Sequence, residues 1–172
     1  QLAHHFGAIV ITTAGNEKKC AACAELGADH VINYRQEDFV AKVAEITGGK
    51  GVNVILDMVG GDYIQKNISC LAMEGRLVQI AFLQSPVNEI NFQPIMLKRL
   101  TVTGSTLRPR TIEQKGKIAK KLEEKVLPLF SSGKLKILVH ETFPLAEAAE
   151  AHRMMESSKH IGKLILDLSS PE

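Results

Sequence analysis

The chain has 172 residues, of which 45% are hydrophobic and 23% are charged, and its formal net charge is +2. This length and composition allow one globular domain with a buried core, and the small net charge gives no reason to expect nucleic acid or a membrane as a partner. No apolar run approaches the ~20 residues of a membrane span, and the first residues lack a signal-peptide pattern. With three cysteines, an odd number, we expect a reducing, cytoplasmic location.

Helical and β-rich segments alternate along the chain. The first residues predict the end of a helix that stops at Gly7. Strands are predicted over residues 8–13, 30–34, 52–60, 75–82, 100–106, 137–143 and 163–168. Helices are predicted over residues 16–26, 38–46, 63–73, 111–130 and 145–156, with a proline-containing loop near residues 86–94. The first strand is expected to be buried, and the long helix is expected to face the core through Ile118, Leu122, Val126, Leu129 and Phe130.

This alternation predicts an α/β fold with a doubly wound, Rossmann-like parallel sheet. In such a fold the strand order is 3-2-1-4-5-6, and the first strand and its glycine fingerprint precede the first helix. The sequence begins inside that helix, so we expect it to be a C-terminal piece that lacks strand 1 and the fingerprint. Strand 1 is central, and the sheet is therefore expected to divide between strands 2 and 4, with apolar edges on both sides.

The end of the first predicted strand indicates which dinucleotide the fold binds. An Asp or Glu in this region holds the ribose 2′-hydroxyl of NAD, but the strand ends in Thr13, Ala14 and Gly15. Lys19 follows one turn into the next helix. A hydroxyl, a helix N-terminus and a lysine attract a 2′-phosphate. The sequence therefore predicts NADPH as the cofactor, although Lys19 could also be a solvated helix lysine.

Several motifs in order strongly resemble the NADPH:quinone oxidoreductases, a zinc-less group of the medium-chain dehydrogenase/reductase superfamily, which is also called the zinc-binding dehydrogenase family. They are Leu-Gly-Ala-Asp-His-Val-Ile-Asn-Tyr at 26–34, Thr-Gly-Gly-Lys-Gly-Val-Asn-Val-Ile-Leu-Asp at 47–57, Gly-Gly at 60–61, Leu-Ala-Met-Glu-Gly-Arg-Leu-Val at 71–78, Ala-His at 151–152 and Ile-Gly-Lys-Leu-Ile-Leu at 161–166. The resemblance extends over essentially the whole chain.

The resemblance implies a set of cofactor-binding residues. Thr13, Gly15 and Lys19 would surround the 2′-phosphate, and Tyr34 would lie near the adenosine. Val59 and Gly60 would approach the adenine ribose, Ala81, Phe82 and Leu83 would border the nicotinamide ribose, and Thr106, Leu107 and Arg108 would close over the nicotinamide. Gly162 and Lys163 would return near the cofactor. Three simpler explanations remain open: Tyr34 as a half-buried packing residue, Arg108 as a loop charge, and Gly60-Gly61 as a tight turn.

The resemblance also implies an architecture and a reaction. Residues 1–135 would form a truncated NADP-binding domain, and residues 136–172 a strand-helix-strand that packs toward an N-terminal catalytic domain. A homodimer would form through the 100–106 edge strand. The complete protein would transfer hydride from NADPH to a small-molecule acceptor, a quinone or a conjugated carbonyl, with no catalytic residue and no metal ligand in this chain, and the chain alone would be inactive. The alternatives are an enoyl or enone reductase, a zinc-type alcohol dehydrogenase, and a non-catalytic cofactor-binding or dimerisation module.

Four other features have simpler interpretations. Cys20 and Cys23 form a C-x-x-C that is expected to lie on a packed helix face rather than in a redox or metal site. Asp57 interrupts an apolar strand, and a buried carboxylate needs hydrogen-bond partners. His152 is expected to be a packed core histidine. The basic run at 115–121 is expected to be a solvated helix face.

Overall fold

The computed structural model describes residues 1–169. Its strands are β1 (Ile11–Ala14), β2 (His30–Asn33), β3 (Val52–Asp57), β4 (Leu71–Gln79), β5 (Thr101–Gly104), β6 (Val139–Pro144) and β7 (Lys163–Asp167). Its α-helices are α1 (Leu2–His5), α2 (Glu17–Glu25), α3 (Phe39–Ile46), α4 (Tyr63–Cys70), α5 (Gln93–Leu97), α6 (Ile112–Lys125), α7 (Leu127–Ser131) and α8 (Ala148–Glu156). The predicted alternation of strands and helices is confirmed. No helix within residues 1–169 is long and apolar enough to cross a membrane.

The chain divides into two compact units. The first unit contains residues 1–31 together with the chain from 122 onward, and the second unit contains residues 32–121.

The second unit is built on a three-stranded parallel sheet in the order β3-β4-β5. Its core forms where α4 covers this sheet, and Ile64, Ile68, Leu71 and Leu77 are buried there together. The register aligns Asp57 with Gln79, and Gln79 with Gly104, so the carboxyl ends of the three strands are level. The consecutive order matches the predicted strands 4, 5 and 6.

The outer face of β3 is apolar and open. Val54 and Leu56 are 61% and 65% exposed, although their types are typical of a sheet interior. β3 is an edge strand in the described structure, and β1 and β2 form a separate two-stranded sheet. The expected division between strands 2 and 4 is therefore observed, and the open-edged strand β3 carries exposed apolar side chains on one face.

In the first unit, β6 and β7 form a parallel pair connected through α8. Gly162 precedes β7 with φ of +95°, and a Cβ at this position would overlap the backbone of Leu138. The backbone N–H of Lys163 donates to the Leu138 carbonyl at 2.8 Å. Gly162 is thus required for the close approach of β7 to the start of β6.

Local capping explains several of the helix boundaries. The Asn16 side chain accepts a hydrogen bond from the Lys19 N–H at 2.9 Å and begins α2, as predicted. The Asp38 side chain accepts from the Val40 N–H at 3.0 Å and begins α3, whose Phe39 and Val43 are buried on the predicted stripe.

Three helix predictions were wrong. The predicted helix over 111–130 is interrupted at Val126, because Pro128 has no N–H to continue the hydrogen bonds of α6; the proline instead occupies the first turn of the separate helix α7. Of the residues expected to face the core from this helix, only Leu129 is buried. The loop near Pro94 contains α5, in which the proline occupies the first turn, where a missing N–H costs nothing. The predicted helix over 63–73 ends at Cys70.

The strand boundaries also shift. β4 begins at Leu71 rather than Gly75, because the helix ends at Cys70 and Leu71 already pairs with Val52 of β3. The first strand starts at Ile11 rather than Ala8, and it is not buried as predicted. Ile9 is 77% exposed, and Ala14 alone in that segment is buried. β1 pairs with only one neighbour among the described residues, which leaves its other edge open.

Candidate cofactor site

The carboxyl ends of β3, β4 and β5 bring three predicted segments to one edge of the sheet in the second unit. Val59 and Gly60 follow β3, Ala81 to Leu83 follow β4, and Thr106 to Arg108 follow β5. The first two segments are joined directly, since the Leu83 N–H donates to the Met58 carbonyl at 3.0 Å and the Gln84 N–H to the Val59 carbonyl at 2.8 Å. Ligands of parallel α/β sheets bind beyond this end of the strands.

Asp57 fixes the loop after β3. Asp57 is buried, at 4% exposure, and its carboxylate oxygens accept hydrogen bonds from the Val59 N–H at 2.8 Å and the Gly60 N–H at 3.1 Å. The buried carboxylate therefore has the partners that its position requires. Asp57 serves to position two predicted cofactor residues, a role that the sequence alone did not indicate.

Gly60 is constrained by the neighbouring loop. Its φ is +72°, and a Cβ there would lie 2.6 Å from Cδ1 of Phe82 and 3.0 Å from the Ser85 carbonyl oxygen. The Gly61 N–H donates to that same carbonyl at 2.8 Å. The tight turn therefore requires glycine at position 60. The same glycine places bare backbone at the end of the sheet where a cofactor would approach.

The segment after β5 lines a shallow groove. Thr106, Leu107, Arg108, Pro109 and Lys115 form its wall. The Lys115 ammonium donates to the Arg108 carbonyl at 3.1 Å and supports the loop from the first turn of α6. Sequence reasoning did not single out Lys115 for this groove, because only the folded loop brings it to Arg108.

The predicted phosphate-binding residues lie in the first unit, around the N-terminus of α2. Thr13 is exposed at the end of β1, Gly15 is half-buried, and Lys19 lies in the first turn of α2. The Lys19 ammonium donates to the Ser158 carbonyl at 2.6 Å, in the turn after α8. A contact across 139 positions of sequence was not predictable. The ammonium still has two further N–H groups for an anion, whereas Glu17 in the same turn opposes one.

Tyr34 follows β2 in the second unit and is 41% exposed. The rings of Phe39 and Tyr63 stack with centroids 5.4 Å apart, and the ammonium of Lys66 lies 5.7 Å from the Tyr63 ring centroid. Burial raises the pKa of the Tyr63 hydroxyl, and the nearby Tyr34 adds to the effect. Tyr63 was missed as a neighbour of the candidate site; its only signal was an aromatic residue that follows Gly60, Gly61 and Asp62 at the start of α4.

The remaining predicted residues have defined places. Gly162 and Lys163 lie in the first unit at the start of β7, where the glycine serves the β6–β7 contact described above. Cys20 and Cys23 form no disulfide within residues 1–169 and lie half-buried on a helix face of α2, as predicted, and Cys70 is buried and likewise forms no disulfide. The prediction for His152 was wrong, since it is exposed on α8. Within residues 1–169, no group of three or more His, Cys, Asp or Glu residues could hold a metal ion.

A family model described as zinc-binding dehydrogenase matches residues 26–166. The chain belongs to the zinc-binding dehydrogenase family. The resemblance to the quinone oxidoreductases of this family, and the α/β fold class expected from it, are confirmed by relatives of known sequence and structure.

Two relatives and two solved structures illustrate the range of this similarity. A 2-haloacrylate reductase from Burkholderia sp is 36% identical over 169 residues, which cover 95% of this chain and 49% of the relative. Quinone oxidoreductase 1 from Escherichia coli (strain K12) is 34% identical, covering 96% of this chain and 51% of the relative. The crystal structure of the Escherichia coli quinone oxidoreductase complexed with NADPH has a TM-score of 0.79 at 33% identity, covering 95% of this chain and 51% of that one. The crystal structure of an NAD-dependent alcohol dehydrogenase has a TM-score of 0.79 at 33% identity, covering 98% of this chain and 46% of that one.

The chain thus spans about half the length of these relatives. The described residues contain no set of zinc ligands that would fit the family's name.

Proposed function

We propose that the complete protein transfers hydride from NADPH to a quinone or another conjugated carbonyl. The observation that carries this proposal is the convergence of the three loops after β3, β4 and β5 at one sheet edge, in a chain whose relatives include an NADPH-complexed quinone oxidoreductase. NADPH supplies the hydride. The roles of this chain are to bind the cofactor, orient it and exclude water.

We propose the adenosine and nicotinamide contacts as follows. Tyr34, Val59 and Gly60 lie along the adenosine, and the segments 81–83 and 106–108 border the nicotinamide half. The bare backbone at Gly60, held by the Asp57 carboxylate, suits a close approach of the cofactor. Gly162 and Lys163 return near it. The donors at 13–19 suit a 2′-phosphate: the Thr13 hydroxyl, the N-terminus of α2 and the two ammonium N–H groups of Lys19 that Ser158 does not use.

The test of the cofactor assignment is a comparison of two lysine variants in the complete gene product. Lys19→Ala is expected to raise the KM for NADPH about ten-fold and to leave the KM for NADH unchanged, because one charge-assisted hydrogen bond is lost. Lys18→Ala, the adjacent exposed lysine, is the matched control and is expected to change neither value. Equal changes for both nucleotides would mean that Lys19 only anchors the turn at Ser158.

The quinone assignment is tested by acceptor profiling with NADPH. A higher kcat/KM for quinones than for conjugated alkenes supports the quinone assignment. A second candidate function, reduction of an activated alkene, is favoured by the 36% identity to a 2-haloacrylate reductase. That candidate predicts higher kcat/KM for conjugated alkenes. Oxidation of an alcohol with NAD would instead favour an alcohol dehydrogenase, and absence of any turnover would favour a non-catalytic cofactor-binding module.

The domain assignment is also a proposal. Residues 1–135 form the NADP-binding part, and residues 136–172, of which 170–172 lie outside the described residues, pack against the N-terminal catalytic domain that the family resemblance implies. The acceptor pocket lies mostly in that domain. We therefore expect the 172 residues alone to show no turnover, and quinone reduction by the purified chain would contradict this.

The assembly is proposed as a homodimer through β5. β5 is an edge of the three-stranded sheet, and all four of its residues are exposed. The Ser105 N–H donates inward to the Gln79 carbonyl, and because successive amides of a strand point to opposite edges, the Val102 N–H faces the open edge. Val102→Pro therefore removes an outward donor without breaking the β4–β5 ladder. Sedimentation velocity is expected to show monomer for this variant, and an unchanged dimer would contradict the proposed interface.

A further inference from the structure

The segment after β5 has an excess of positive charge without acidic partners. Arg108, Arg110 and Lys115 lie in a stretch where Glu113 is the only acidic residue between positions 90 and 122. The Glu113 carboxylate is already paired with the Lys117 ammonium, at 2.6 Å between Oε1 and Nζ. Among residues 1–169, none of the three cations forms an ion pair.

Two of these cations support the loop, and the third does not. The Arg110 guanidinium donates to the Thr106 carbonyl at 3.0 Å and to the Ser105 hydroxyl at 3.2 Å. The Lys115 ammonium donates to the Arg108 carbonyl. The Arg108 side chain is exposed and has no hydrogen-bond or ion-pair partner within residues 1–169. Its five N–H donors form a planar fork that matches a carboxylate or phosphate.

Two of these cations lie in the wall of the groove after β5. Arg108 and Lys115 both line it, and α6 begins at Ile112, in the chain between the lining residues Pro109 and Lys115. The dipole of a helix favours negative charge near its N-terminus. The Thr111 N–H donates to the Gln114 side chain at 3.0 Å and the Gln114 N–H to the Thr111 hydroxyl at 3.2 Å, which fixes this helix start. A guanidinium without a partner within residues 1–169 and a lysine therefore line one open groove next to the start of α6.

We propose that this groove binds a negatively charged group of the hydride acceptor, so that the preferred substrate is a conjugated acceptor bearing a carboxylate. The inference rests on the proposed function, because the groove lies at the carboxyl end of β5, where the acceptor would meet the nicotinamide. A cofactor phosphate has the same chemistry as a ligand, and the experiment distinguishes the two sources.

The experiment compares a naphthoquinone with and without a carboxylate substituent, using the complete enzyme and NADPH. Arg108→Gln is expected to lower kcat/KM about five-fold more for the charged quinone than for the neutral quinone, the size of one solvent-exposed charge pair. Any loss that comes from the nicotinamide contact of Arg108 is common to both quinones. Arg108→Lys is expected to restore part of the loss. Lys121→Gln, further along α6 and outside the groove, makes the same change in charge and is expected to have no effect.

An equal loss on both quinones would overturn the proposal, because Arg108 would then only position the nicotinamide. A raised KM for NADPH without discrimination between the quinones would also overturn it and would assign the groove to a cofactor phosphate. Calorimetric titration of the charged quinone into the enzyme with NADP⁺ tests the site without turnover. Weaker binding of the charged quinone to Arg108→Gln than to Lys121→Gln supports the proposal, and equal binding to the two variants overturns it. If neither quinone is reduced, only the proposed function fails, because the binding comparison does not depend on turnover.

Discussion

Replacement of Asp57 by alanine tests how the loop after β3 is held. The substitution removes two charge-assisted hydrogen bonds, to the Val59 N–H at 2.8 Å and to the buried Gly60 N–H at 3.1 Å. Each such bond contributes about 1.5–3 kcal/mol net, and the partly exposed Val59 N–H can recover part of its share from water. We therefore expect a loss of about 3 kcal/mol in the free energy of unfolding, with Asp57→Asn giving a smaller loss because it keeps one acceptor oxygen.

The assay is thermal unfolding of the complete gene product followed by circular dichroism. A change of 1 kcal/mol shifts Tm by about 2–4 °C in a domain of this size, so Asp57→Ala is expected to lower Tm by about 6–12 °C. Asp62→Ala is the matched control, since this carboxylate lies in the same loop but makes only an exposed contact with Asn88 at 3.2 Å; its expected shift is under about 2 °C. Equal shifts for the two variants would refute the reasoning.

Three further predictions concern packing and reactivity. Leu77→Ala, at a core position that is 1% exposed, is expected to cost about 2–5 kcal/mol in urea unfolding, and a loss below about 1 kcal/mol would contradict the assigned core. Gly162→Ala is expected to destabilise the β6–β7 pair by at least about 1 kcal/mol, because of its positive φ and the overlap with Leu138; faster hydrogen exchange in those strands checks this. Burial raises the pKa of the Cys70 thiol to about 11, so its stabilising contribution is present below pH 9, the ordinary value, and is lost as pH rises toward 11. Peptide mapping after alkylation at neutral pH is expected to find Cys70 modified far more slowly than the half-buried Cys23, and equal rates would contradict this burial.

The parts of the fold that depend on neighbouring residues were predictable from the sequence. Side-chain caps at Asn16 and Asp38 and the stop at Gly27 set helix ends through contacts within a few positions. The interruption of the helix over 111–130 also has a local cause, the proline at position 128. The prediction failed because it followed the apolar periodicity and neglected the N–H that proline lacks.

The candidate site was predictable in part for a general reason. Parallel strands carry their carboxyl ends to one edge, so the segments after β3, β4 and β5 could be grouped before their register was known. The structure adds the register: Asp57 pairs with Gln79 and Gln79 with Gly104, so the three strands end at the same level.

The sequence by itself determined the alternation of elements, the family motifs and the types of residue at the strand ends, because these depend on local propensity and periodicity. Tertiary structure decided which partner each polar group took. Asp57 caps its own loop, Lys19 reaches the Ser158 carbonyl, and Lys115 supports the backbone of Arg108. Such pairings depend on where distant or turning segments come to lie in space, and the identity of a charged residue specifies only that a partner is needed.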